Sequence, residues 1–266
     1  MRPEVLRKAV HVDRENGWHP IATVATVGTT SVTSIDPVSD IADVCESEDL
    51  WLHVDAAYAG AAALVPSAKY VMDGCDRADS IVVNPHKWLF TPFDLSAFFS
   101  RRMDTIRTTF TLTPDYLDTP ESEHVNNLMD TGVQLGRRFR ALKLWAVLRY
   151  FGADGLRVRL EEHIRLAQLF STWIDACDDF ERLAPVPLSV VCFRANPKGF
   201  SDDDQNLNQL NAEILATVNT SGQVFLSHTK INGNYALRLA IGHIRTTEEH
   251  VSKAWELLRK ALKTNT

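Results

Sequence analysis

Three short apolar runs, each stopping at a polar cluster, set what this chain can fold into. Residues 21–27 stop at Gly28-Thr29-Thr30, residues 50–54 at Asp55-Ala56-Ala57-Tyr58, and residues 80–83 at Asn84-Pro85-His86-Lys87-Trp88. Runs this short and apolar on both faces read as strands of a largely parallel sheet, covered from two sides. Between the first two, Asp36-Pro37 suits an N-cap and a first helical position. Val38, Ile41, Ala42 and Cys45 follow at the i, i+3, i+4, i+7 spacing of a helix lying on a sheet. Strands alternating with helices predict an α/β layer.

Around this frame the pattern predicts a helix over 4–15, a helix near 67–73 and a strand over 95–99. Residues 111–131 are rich in Thr, Pro, Asp, Glu, Ser and Asn and read as a long exposed loop. Its length exceeds an ordinary connection and suggests a functional lid or a disordered segment. A helix over about 134–150 ends at Phe151-Gly152. The remainder, 151–266, reads as a smaller α/β unit behind a large one spanning 1–150. In it we expect helices over 154–177, 207–218 and 251–262, and strands over 189–193, 224–227 and 235–241. Asn232-Gly233 signals a hairpin, and Thr246-x-x-Glu249 a capping box for the last helix.

Charge and cysteine usage narrow the function classes. A net charge of -6 over 266 residues argues against a nucleic-acid binder or a polybasic membrane anchor. Cys45, Cys75, Cys177 and Cys192 lie far apart with no C-x-x-C pair, as expected of free intracellular thiols. No stretch approaches the ~18 apolar residues of a spanning helix, and residues 1–8 hold no apolar leader core. The expectation is a cytoplasmic protein.

Ligands of parallel α/β sheets bind beyond the carboxyl ends of the strands. There the three runs deliver hydroxyls, an acid, an imidazole and an amine. Taken singly, Asp55 is an ordinary strand-end turn or cap and Lys87 a solvated surface lysine. Together, in this order, they meet the needs of a pyridoxal phosphate site. Lys87 supplies the amine for a Schiff base, and Asp55 keeps the pyridine nitrogen protonated so that the ring accepts electrons. A lysine amine with a pKa near ~10.4 must be desolvated, or lie near positive charge, to attack a carbonyl at neutral pH. Ala57 falls on the same side as Asp55 if the chain stays extended, and its small side chain lets a ring lie against it. His86 is a candidate acid or base.

His53-Val54-Asp55-Ala56-Ala57-Tyr58-Ala59-Gly60 with Asn84-Pro85-His86-Lys87-Trp88-Leu89 resembles the group II pyridoxal-phosphate amino-acid decarboxylases. Within them the chain is most similar to the aromatic L-amino-acid enzymes that act on DOPA, tyrosine and tryptophan. Val24-Ala25-Thr26-Val27-Gly28-Thr29-Thr30 and the segment 135–145 extend the match. The resemblance implies part of a fold type I large domain with a small C-terminal domain, and a homodimer when full length. It implies Lys87 as the Schiff-base lysine, Asp55 as the pyridine partner, Thr30, Asn84 and His86 as further cofactor contacts, and Ala57 lining the ring. Leu112-Thr113-Pro114-Asp115-Tyr116-Leu117 matches the family's mobile loop, which makes Tyr116 the acid that protonates Cα after carbon dioxide leaves. Relatives with phenylalanine there tend toward aldehyde formation, so tyrosine favours simple decarboxylation. The family also has a long region before the segment matched by Met1. It supplies a dimerisation arm, phosphate-holding small residues and a ring-stacking histidine, so this chain is expected to be N-terminally truncated.

Other readings are a family member acting on glutamate or histidine, and a remnant that keeps Lys87 and Asp55 by descent and serves only in interactions. A non-haem iron site built on His53-x-Asp55 is a third, although such sites usually ride on all-β barrels.

Overall fold

The computed structural model describes residues 1–112, 127–200 and 203–265. Helix α1 (Pro3–Glu15) is followed by strand β1 (Ala22–Thr26), helix α2 (Val38–Ser47) and strand β2 (Trp51–Asp55). Two 3-10 segments, Ala59–Leu64 and Pro66–Met72, stand where a helix near 67–73 was expected. Strand β3 (Ser80–Val83), the single-turn helix α3 (Pro85–Trp88), strand β4 (Ala97–Ser100) and helix α4 (Met103–Phe110) complete this part. The sheet order is β1-β2-β3-β4; the first three strands are parallel and β4 runs antiparallel to β3.

The apolar stripe of α2 behaves as its spacing predicts. Val38, Ile41, Ala42 and Cys45 are buried and share one core with Ala25, Leu52 and Val54. Asp36, however, does not cap the helix. Pro37 takes the N-cap position, and the Asp36 carboxylate accepts the Thr26 N–H at 2.8 Å, tying the loop back to the end of β1.

Only one face of this sheet is covered by the described residues. Thr23, Ala25, Leu52 and Val54 point into the core, so alternation along the strands puts Ala22, Val24, Trp51, His53 and Asp55 on the other face. There Val24 is 50% exposed, and Phe98, in the register row running Thr26–Asp55–Val82–Phe98, is 46% exposed. The strands are apolar on both faces, as the sequence suggested, but are not buried on both.

Gly28 turns the chain out of this sheet with φ +83°, and a Cβ placed there would lie 2.6 Å from the Ala59 Cβ. Strain and overlap add, so Gly28→Ala is expected to destabilise the fold by about 2–4 kcal/mol. Chemical denaturation measures this; a loss below about 0.5 kcal/mol would contradict the geometry.

Helix α5 (Ala141–Asp175) starts seven residues later than the expected 134, beyond Gly132 and Gly136. The expected end at Phe151-Gly152 is a kink: Gly152 sits at φ 64°, ψ 175°, and the helix resumes. Strand β5 (Phe180–Arg182), too short to register as a pattern, precedes β6 (Val190–Ala195), helix α6 (Asp204–Thr220), β7 (Ser227–Ile231), β8 (Asn234–Ala240) and α7 (Glu248–Asn265). The sheet is antiparallel in the order β5-β6-β8-β7.

Asn232-Gly233 does make the hairpin, with positive φ at both residues and Ile231 opposite Asn234. That tight turn fixes the partner strand as Ser227–Ile231 and excludes the earlier 224–227. The last helix is capped one residue later than the predicted box, because the Thr247 N–H donates to His250 Nδ1 at 3.1 Å. Phe170, Ile174, Phe193, Leu210, Ile214 and Leu258 anchor a second core, whereas Leu160 of α5 joins the first. The expected boundary at 150/151 thus falls inside α5, beside its kink.

Candidate active site

Parallel pairing places the ends of β1, β2 and β3 side by side, with Thr26 opposite Asp55 and Asp55 opposite Val82. The Gly28-Thr29-Thr30 turn, Asp55 and the Asn84–Lys87 turn therefore leave the same end of the sheet. The ladder continues past the strands: Ala56 N–H donates to the Val82 carbonyl at 3.1 Å and Asn84 N–H to the Ala57 carbonyl at 3.0 Å. This joins the segment carrying Asp55 to the one carrying Lys87.

Asp55 is half-buried on the open face. Its Oδ1 accepts the Ala57 N–H at 3.0 Å, which orients the carboxylate. The chain turns at Ala57 and does not stay extended, so Ala57 is buried beneath that turn. His53, two residues before, meets Ser80 Oγ at 2.8 Å through Nδ1. Burial lowers the His53 pKa and the Asp55 charge partly offsets this, so the ring beside Asp55 is neutral near pH 7. With Nδ1 turned to Ser80, and no group of three metal-ligating residues among those described, the iron reading gains no support.

Proline opens helix α3, where its fixed φ and missing N–H cost nothing. Asn84, just before it, has a buried Oδ1 with no hydrogen-bond partner. Buried polar atoms are nearly always paired, so an orphan at a strand end is the mark of a ligand-facing group. His86 Nδ1 lies 2.9 Å from the Leu95 main-chain nitrogen and 2.5 Å from the Leu95 carbonyl oxygen, which holds the ring in one orientation. Lys87 N–H donates to the Asn84 carbonyl at 2.8 Å, but the side chain is exposed. The desolvation expected of its amine is not provided by the described residues. Thr30 is exposed in the turn after β1, and Tyr116 lies outside the described residues.

Tyr58 and Trp88 stand in the family motifs without a structural role read from them, and His163 and Ser189 stand in none. Tyr58 and Trp88 stack at 4.8 Å with their planes 8° apart. The Trp88 indole N–H donates to His163 Nδ1 at 3.1 Å, and the Tyr58 hydroxyl meets Ser189 Oγ. Burial pushes the Tyr58 phenol up to about 12, keeping it neutral. The one available signal was His163 itself, a polar residue three positions after Leu160 on the apolar side of α5. A groove of about 450 Å³ between the 223–226 segment and α7 contains none of the candidate residues.

The sequence profile of the pyridoxal-dependent decarboxylase conserved domain matches residues 1–196. The chain belongs to that family. Tryptophan decarboxylase TDC2 of Camptotheca acuminata is 41% identical over 98% of this chain, and phenylacetaldehyde synthase of Arabidopsis thaliana 39% identical over 98%. The crystal structure of Oryza sativa TDC with PLP and tryptamine superposes with a TM-score of 0.95 at 35% identity, covering 99% of this chain. Fold type I, as the sequence suggested, is therefore the architecture of this decarboxylase-family chain. It spans about half the length of these relatives: 52%, 53% and 55%.

Proposed function

We propose that this decarboxylase-family chain carries the amine-and-carboxylate part of a pyridoxal phosphate site and serves the decarboxylation of an aromatic L-amino acid to its amine. The observation that carries the reading is the pair of adjoining strand ends. Asp55 with one oriented oxygen and Lys87 leave neighbouring strands at the same end of the sheet, beside the orphaned Asn84 Oδ1. Those residues fit the group: an amine for its aldehyde, an anion for its ring nitrogen, and an unpaired acceptor where a donor can be met.

Bound there, pyridoxal phosphate supplies a protonated ring able to take up the electron pair released when a bond to Cα breaks. Lys87 would hold the group through its aldehyde carbon and would yield that position to the substrate amine. Asp55, its Oδ1 tethered by Ala57, leaves Oδ2 to hold the proton on the ring nitrogen. His86, its ring held at Leu95, would turn Nε2 to the group, and Thr30 would add a hydroxyl from the neighbouring turn. Tyr116 returns a proton to Cα after carbon dioxide has left. The aromatic preference follows the relatives, among which are tryptophan and tyrosine decarboxylases.

The aldehyde synthase among them makes Tyr116 the residue to test. With pyridoxal phosphate and L-tryptophan, L-tyrosine, L-glutamate or L-histidine supplied in turn, the chain is expected to form tryptamine or tyramine and carbon dioxide. In air, Tyr116→Phe is expected to shift most of the product to the aldehyde: with the acid that protonates Cα removed, dioxygen takes two electrons to become hydrogen peroxide and the amino group leaves as ammonia. Mass spectrometry of the products decides. Amine from glutamate or histidine alone would replace the aromatic assignment. No amine from any of the four would favour the remnant reading, and unchanged amine output from Tyr116→Phe would remove Tyr116 from the mechanism.

A further inference from the structure

The position of the Lys87 amine is not set by its own helix. Helix α3 has only four residues, far below the length at which a helix holds itself in water. What fixes it is its last residue. Trp88 is fully buried, stacks on Tyr58, and donates its indole N–H to His163 Nδ1. His163 lies 75 residues away on α5, is 2% exposed, and meets the Phe90 ring edge-on at 5.7 Å.

We propose that His163 is a positioning residue for Lys87: by accepting the Trp88 indole N–H it sets where the single turn they share holds the amine relative to Asp55. The inference rests on the reading of Lys87 given above. Accepting at Nδ1 needs a free lone pair, so the proton sits on Nε2 and the ring must be neutral. Burial lowers the His163 pKa and keeps it so, against the opposing pull of a hydrogen bond with the His243 main chain and of the Glu162 charge.

The stack also links the two halves of the site. Tyr58 follows Asp55 by three residues, and its hydroxyl is held by the fully buried Ser189. The Tyr58–Trp88 stack is thus pinned at both edges by side chains from the C-terminal half of the chain. A phenylalanine at 163 would fill the space equally well, but it cannot accept the indole N–H, which would be left buried and unpaired.

The test compares the chain with His163→Phe and with His163→Asn, whose amide oxygen reaches the Nδ1 position. Three quantities are read: amide hydrogen exchange at residues 86–90, the indole N–H resonance of Trp88, and the rate at which the Lys87-dependent visible absorbance develops with pyridoxal phosphate. His163→Phe is expected to leave exchange in β1 and β2 slow, speed exchange at Lys87 about tenfold and slow the absorbance about fivefold. His163→Asn is expected to restore both to within about twofold, a rescue that mere space-filling would not give.

Unchanged exchange and absorbance in His163→Phe overturn the proposal, as does a folded His163→Asn that behaves like the phenylalanine variant. Should His163→Phe not fold, His163→Gln replaces it, because its oxygen reaches the Nε2 position and misses the indole. Were the unmodified chain to develop no Lys87-dependent absorbance, the decarboxylase reading would fail. The exchange comparison would then decide the role of His163 alone.

Discussion

Lys87→Ala is expected to abolish the visible absorbance that the purified chain develops with pyridoxal phosphate and to lower amine formation by at least about 10³-fold. The effect is large because, among the described residues of the three strand-end turns, Lys87 brings the one amine, and its neighbour His86 is an imidazole held at Leu95 through Nδ1. The substitution itself is mild. Lys87 is exposed and its structural role is a main-chain bond to Asn84, so the fold and the Trp88 stack should persist. Borohydride reduction followed by peptide mapping offers a direct check, because the cofactor mass should stay on the peptide containing Lys87. The same mass on another lysine, or undiminished absorbance in Lys87→Ala, would end the assignment and leave the remnant reading in its place.

Asp55→Ala should separate holding the cofactor from using it. Covalent capture depends on Lys87 and is expected to survive. Amine formation should fall on the order of 10²- to 10⁴-fold, the range for losing one group that holds a proton or stabilises charge in a reaction. The cause is electronic. Without the Asp55 anion, the nitrogen of a bound pyridine ring would give up its proton, and an unprotonated ring would be a poor acceptor for the electron pair left at Cα. Asp55→Asn should behave similarly, since an amide keeps the shape but not the charge. Turnover within about threefold of the unmodified chain in either variant would show that Asp55 is a structural strand-end residue, its carboxylate serving only the Ala57 turn.

Much of the candidate site was legible because the features that suggest it are local. Asp55 and Lys87 sit at the ends of apolar runs, and in a parallel sheet the carboxyl ends of strands are where ligands tend to bind. The α2 stripe and the Asn232-Gly233 hairpin were readable for the same reason, since each is decided within a few residues. Boundaries were less so. Asp36 looked like a cap but bonds back to Thr26, and the cap of α7 moved to Thr247 because His250 could serve it. Asp36 had one carboxylate and more than one backbone donor within its sequence range, and the α7 box could form at 246 or at 247; only three-dimensional reach decided.

Sequence alone determined the α/β alternation, the residues that bring an amine and a carboxylate to one edge, and the family to which the chain belongs. Tertiary structure alone decided what holds those residues in place. The Trp88–His163 bond closes 75 residues and the Tyr58–Ser189 contact 131, and neither separation leaves a periodic trace. It also showed that the described residues leave the Asp55 face uncovered, with Val24 and Phe98 half-exposed, because apolar spacing records which side chains can be buried and carries no information on whether another layer covers them.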